Sequence, residues 1–111
     1  MPETITSRQN PRIKQVRRLR DRSERDASGR FVIDSLRDLH RAIACGYEVD
    51  YVLVVPEKLR GTLPTLPERA VFHVTSDMLD AAAYRENPDG LVAVMIAPKG
   101  KAFPVKLEKS F

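Results

Sequence analysis

The sequence predicts a small α/β domain, a three-layer α-β-α sandwich whose mainly parallel sheet carries helices on both faces. Three observations predict it. Short β-branched or apolar runs at residues 30–33, 49–55, 70–74 and 91–97 alternate with stretches whose apolar residues recur at helical spacing. A chain of 111 residues, 42% of them hydrophobic, has the length and composition of one globular unit with a modest core. No internal repeat or low-complexity tract divides it.

Residues 1–6 (MPETIT) are expected as a flexible lead-in. A first helix should run over residues 11–22, with Ile13, Val16 and Leu19 as a narrow apolar stripe. Asn10 can cap it by accepting from a free backbone N–H, and Pro11 suits a first helical position, where a missing N–H costs nothing. Residues 23–28 are polar and are expected as a turn that Gly29 ends. Residues 30–33 (RFVI) read as a short buried strand.

Asp34 or Ser35 should cap a second helix with Leu36, Leu39, Ala42 and Ile43 facing inward, and Gly46 should close it in a left-handed conformation. The strand at 49–55 (VDYVLVV) follows, and a helical crossover implies that it pairs in parallel with strand 30–33. Pro56 stops it, residues 56–60 suit one helical turn, and 61–68 (GTLPTLPE) should be a surface loop. A third strand at 70–74 leads to Ser76-Asp77 as the cap of a short helix, MLDAAAY. After a turn signal at 86–90 (ENPDG), residues 91–97 (LVAVMIA) form the most apolar strand, expected at the sheet centre. Residues 98–111, with four lysines and two prolines, read as a linker leading elsewhere, and the abrupt end at Ser110-Phe111 as a truncation.

Net charge is +4 and the pI about 9.5, which favours a polyanionic partner. The charge is lopsided. Arg8, Arg12, Lys14, Arg17, Arg18, Arg20, Arg22, Arg25 and Arg30 crowd one stretch that holds only Asp21, Glu24 and Asp26 in opposition. A solvated helix face is the plain reading of such a cluster, and a phosphate-binding face the sharper one. Arg25 and Arg30 flank the loop before the first strand and can reach phosphates from the same side. Arg37 and Arg41 stand i, i+4 on the second helix, where pairing of Arg37 with Asp38 or Asp34 competes. Ser7 and Asn10 are further contact candidates, with helix capping the alternative for Asn10. Aromatic residues are few and most fall in strands, so shape and backbone contacts should outweigh base stacking. Tyr47 and Tyr84, at helix ends, are the stacking candidates, and the Asn87 amide is a candidate for reading a base edge.

Catalytic constellations are sparse. His40 and His73 are isolated, and Asp77 and Asp80 on one short helix suit capping and solvation. Cys45, the single cysteine, excludes an internal disulfide; it lies at the wrong end of its helix for a stabilised thiolate and is expected as a small buried thiol. No phosphate-binding glycine loop or dinucleotide fingerprint is present. No apolar run approaches a membrane span and the N-terminus lacks a signal-peptide core, so a cytoplasmic protein without a membrane partner is expected.

The order of these segments resembles a known family. NPRIK, a basic helix with Arg25, GRFVID, the helix and strand of RDLHRAIACGYEVDYVLV, and ENPDGLVAV resemble the N-terminal substrate-binding domain of SpoU-type (TrmH-like) RNA 2′-O-ribose methyltransferases, over residues 5 to 97. Where that family often carries Glu-Gly after the first strand, this sequence has Asp34-Ser35. The resemblance implies a fold similar to small ribosomal and kink-turn RNA-binding proteins. It implies RNA contacts at Ser7, Arg8, Asn10, Arg12, Lys14, Arg17, Arg18, Arg25, Arg30 and Arg37, with structured ribosomal or transfer RNA as partner. The methyl donor S-adenosylmethionine and homodimerisation are expected of the parent enzyme's catalytic domain. For this chain no cofactor, metal or catalysis is expected. Two rivals are a stand-alone RNA-binding or ribosome-associated protein of the same fold, and a protein–protein adaptor whose basic helix meets an acidic partner.

Overall fold

In the computed structural model, which describes residues 3–5, 7, 9–82 and 89–97, nine elements follow one another along the chain. They are β1 (Glu3–Thr4), α1 (Pro11–Arg18), α2 (Arg22–Ser28), β2 (Arg30–Ile33), α3 (Leu36–Ala44), β3 (Glu48–Val54), β4 (Val71–His73), α4 (Ser76–Ala82) and β5 (Leu91–Ile96). Short 3-10 turns cover Pro56–Lys58 and Glu68–Ala70. The strands form one sheet in the order β1-β4-β3-β5-β2.

The expected parallel pairing of β2 with β3 is overturned. β5 lies between them and runs antiparallel to both, with Val32 opposite Val94 and Val52 opposite Ala93. The crossover through α3 does return the chain in the same direction, but it leaves a gap that the most apolar strand fills. Hydrophobic burial selects the occupant of that gap, since Leu91, Val92, Ala93, Val94 and Met95 all lie fully buried. The sheet is therefore mixed, not mainly parallel. Its antiparallel ladders carry most of the pairing, and the parallel pairs β3–β4 and β1–β4 lie toward one edge.

Apolar residues fill both faces of this sheet. On one side α1 and α4 pack Ile13, Val16, Leu79 and Ala82 against Val32, Tyr51, Leu53, Phe72, Val92 and Val94. On the other, α3 packs Leu36, Leu39 and Ala42 against Phe31, Ile33, Val52, Val54, Ala93 and Met95. The alternation of β3 breaks once. Its register with β5 shifts between Val49 and Tyr51, so Val49 packs on the α3 side while Tyr51 packs under α1. The extra residue is Asp50.

Other differences are local. Residues 3–5 are not a loose lead-in: Glu3 and Thr4 add an edge strand to β4, Ile5 N donates to His73 O at 2.8 Å, and the Ile5 side chain is buried. The helix expected over 11–22 ends at Arg18, and the expected turn at 23–28 is helical, closed by Gly29 at φ 68°. The sequence 22–28 has no apolar face, and α2 buries none of its residues, so hydrophobic periodicity could not reveal it. Thr75, one residue earlier than expected, caps α4 by accepting from Met78 N. Cys45 is exposed at the end of α3 instead of buried. Ser35 caps α3 and Gly46 closes it at φ 94°, as the sequence indicates, whereas the most apolar strand, β5, is interior but fourth of five, and β3 holds the centre of the sheet.

Candidate nucleic-acid interface

The basic surface is built from α1 outward. Asn10 Oδ1 accepts from Arg12 N at 2.9 Å, and Pro11 takes the first helical position. Just before it, Asn10 N donates to Ser7 O, and Gln9 N to Ser7 Oγ, so the exposed Ser7 closes the turn that enters the helix. Ile13 and Val16 fix the helix against the sheet at 0% exposure, which turns Lys14, Arg17 and Arg18 to solvent. None of these three cations pairs with a carboxylate among the described residues. Unpaired charge on a rigid helix is what a polyanion can use.

Other basic residues of the stretch are engaged within the chain. Arg25, projecting from α2, donates through Nη1 to Leu19 O at 2.9 Å and Arg20 O at 2.8 Å. These carbonyls lie just past the end of α1, where backbone acceptors lose their helical partners. Arg30 Nε donates to Asp50 Oδ2 at 2.9 Å, and its Nη1 to Ser28 O at 2.9 Å. Arg22 stands 4.0 Å from Asp26 in an exposed i, i+4 pair. The geometry thus separates α1 cations that face outward from Arg25 of α2 and Arg30 of β2, which hold the α1–α2–β2 connection together.

Arg12 stands between these groups. Its Cζ lies 4.2 Å from the centroid of the Phe72 ring and 5.7 Å from that of Tyr51, a cation–π arrangement that holds the guanidinium against β4 and β3. The Tyr51 hydroxyl donates to Gln15 Oε1 at 2.6 Å, with Arg12 O a second acceptor at 3.2 Å. Burial, and then the Asp50 carboxylate, hold this phenol well above its ordinary pKa against the opposing pull of Arg12, Arg30 and Arg18. It therefore remains a donor at neutral pH. Beside it opens a shallow depression of about 390 Å³ lined by Pro11, Arg12, Gln15, Arg18, Asp50 and Tyr51.

The ten predicted contact residues are thus divided. Lys14, Arg17 and Arg18 share the exposed side of α1, with Arg12, Asn10 and Ser7 at or before its first turn. Arg25 and Arg30 lie behind them in structural bonds, and Arg8 lies outside the described residues. Arg37 is exposed on α3, across the sheet from α1, and pairs with neither Asp34 nor Asp38. The N-terminus of α3 offers no free donors at two positions, since Leu36 N donates to Asp89 Oδ2 and Asp38 N to Ser35 Oγ. Tyr47 does not present a stacking face: it is buried edge-on to Phe31, with ring centroids 5.4 Å apart. Tyr84 and Asn87 lie outside the described residues. Gln15, Asp50 and Tyr51, which charge counting does not select, join the site. A carboxylate inside the apolar run VDYVLVV was the one available signal.

Among the described residues, no group of three His, Cys, Asp or Glu side chains is placed to hold a metal ion, and no helix is long and apolar enough to cross a membrane. His40 and His73 stay apart, the first with its Nε2 2.8 Å from Thr62 O.

Comparison with known proteins adds an independent line. The family model described as the MRM3-like substrate binding domain matches residues 10–93. A crystal structure of an RNA 2′-O ribose methyltransferase is similar with a TM-score of 0.70 and 32% identity, over 94% of this chain and 40% of that one. The SpoU methyltransferase AviRb from Streptomyces viridochromogenes, solved with AdoMet, gives a TM-score of 0.69 and 24% identity, over 87% of this chain and 40% of that one. An rRNA methyltransferase from Sinorhizobium meliloti gives a TM-score of 0.66 and 19% identity, over 92% and 38%. The chain thus spans about two fifths of the length of these proteins. No curated protein matches it in sequence.

Proposed function

We propose that this chain, which belongs to the family of MRM3-like substrate-binding domains, holds a structured RNA for an RNA 2′-O-ribose methyltransferase. The observation that carries this reading is the outer side of α1, where Lys14, Arg17 and Arg18 are exposed and unpaired among the described residues while Arg25 and Arg30 are bonded inward. Phosphates meeting such a side release counterions and are positioned without being read in sequence. Ribosomal or transfer RNA is the proposed substrate, and the cytoplasm the proposed compartment.

Methyl transfer, S-adenosylmethionine and dimerisation belong, in this proposal, to a catalytic domain of the parent enzyme. The chain's own task is positioning: it fixes the RNA so that one ribose hydroxyl reaches chemistry supplied elsewhere.

The test is binding of the chain to ribosomal hairpins, transfer RNA and an unstructured control at two salt concentrations. A structured RNA should be preferred at moderate salt, and Arg17→Ala or Arg18→Ala should each lower the log–log salt slope by about 1. Loss of all binding at moderate salt, with no preference, would refute RNA recognition. Tighter binding to an acidic protein than to RNA in direct competition would favour the adaptor reading instead.

A further inference from the structure

The depression beside α1 carries a donor and acceptor pattern that simple phosphate binding does not need. Asp50 binds Arg30 through Oδ2, which leaves Oδ1 unclaimed by any described residue. The Gln15 amide receives the Tyr51 hydroxyl on Oε1, and this fixes its NH₂ as the group left to donate. Arg12 holds its guanidinium carbon over the Phe72 ring, 4.2 Å from the centroid, and also lines the depression. Such a supported plane is a stacking platform for a base. Arg18 lines the same hollow and places a cation at its edge.

We infer that this hollow is a subsite for an unpaired guanine of the bound RNA. The inference rests on the RNA-binding reading of α1. Guanine presents N1–H and N2–H₂ as adjacent donors and O6 as an acceptor. Oδ1 of the fixed carboxylate, with the second lone pair that Oδ2 keeps beside its Arg30 bond, takes the donors, and a fixed amide NH₂ serves O6. Adenine sets its N1 lone pair against the Asp50 carboxylate, and cytosine sets N3 there, so both are rejected by like polarity. Uracil offers a single N–H and a smaller stacking face. Arg12 supplies the stacking surface and Arg18 meets the adjoining phosphate. Asp50 holds its position because Arg30 binds it, and the strand bulge places it beside Tyr51 under α1.

Selection from stem–loop RNAs with randomised loops, using the whole chain, tests this. Guanine should be enriched at one loop position, and the selected RNA resynthesised with adenine there should bind at least about tenfold more weakly. Inosine, which lacks N2–H₂, should fall between the two. Asp50→Asn should abolish the guanine preference without changing the salt slope, and Arg12→Lys, which keeps the charge but not the plane, should weaken binding to the guanine RNA more than to the adenine RNA. Thermal melts show whether either variant has lost its fold, and the one that keeps it decides. Equal binding of the guanine, inosine and adenine RNAs, with the Arg17→Ala slope still reduced, would overturn the guanine subsite and leave RNA binding intact. A guanine preference that survives both variants would place the recognition elsewhere and overturn it too. A pool retained no better than the unstructured control would refute the RNA reading itself.

Discussion

Arg25 offers the sharpest separation between a charge that binds and a charge that holds. Arg25→Ala removes Nη1 from two carbonyls, Leu19 O at 2.9 Å and Arg20 O at 2.8 Å. A hydrogen bond to a charged donor contributes about 1.5–3 kcal/mol net, but these carbonyls are only part-buried and water recovers some of the loss. The expected destabilisation is therefore about 2–3 kcal/mol for the pair, well above the roughly 0.5 kcal/mol scatter of surface substitutions. For a domain of this size it lowers Tm by about 8–20 °C. Denaturant titration measures the stability, and RNA binding is read at a temperature where the variant remains folded. The salt slope should then match the unaltered chain, whereas Arg17→Ala should lower the slope and leave stability within the scatter. Native stability in Arg25→Ala together with a slope reduced by about 1 would show that Arg25 contacts phosphate, and the division of the basic stretch would be wrong.

Three further outcomes are expected. Gly90→Ala should cost about 2–4 kcal/mol in denaturant titration, because φ is +73° and a Cβ there would stand 2.8 Å from the Lys58 carbonyl carbon and oxygen. Tyr51→Phe should cost about 1 kcal/mol at neutral pH by removing the bond to Gln15. The raised Tyr51 pKa means that the unfolded chain releases this proton at lower pH than the folded one, so its stabilisation is fully present below the ordinary tyrosine range and is lost progressively as pH rises from that range through the higher folded pKa. Tyr51→Phe should therefore flatten the alkaline fall in stability, and an unchanged pH profile would count against the buried phenol. Arg37→Ala should leave both stability and salt slope unaltered, since α3 lies across the sheet from α1; a reduced slope would extend the RNA footprint around the sheet edge.

Much of the fold was legible because burial writes a period into the sequence. Leu36, Leu39 and Ala42 mark the inner side of α3, and the apolar run 91–96 marks a strand covered on both faces. What the period does not carry is order within the sheet. A helical crossover sets β2 and β3 in the same direction, and that holds equally whether they touch or flank a third strand. β5 is the segment that best tolerates complete desolvation, and its insertion satisfies the inner edges of both neighbours at once. Nor can periodicity report α2, whose side chains bury nothing.

The basic stretch shows the same limit in electrostatic form. A sequence records how many guanidinium groups a segment carries, whereas their use depends on which acceptors come within reach. Leu19 O and Arg20 O become free acceptors only because α1 stops at Arg18, and Asp50 reaches Arg30 only because β3 bulges. Both acceptor sets are products of backbone irregularity, so both are invisible to a count of charges. The irregularities tie Arg25 and Arg30 into structural bonds and leave the cations of α1 facing outward. A fixed side with few mobile counter-charges loses less entropy on binding than a basic tail of equal charge. Substituting the clamp therefore damages the platform, and substituting the outward cations damages only its grip.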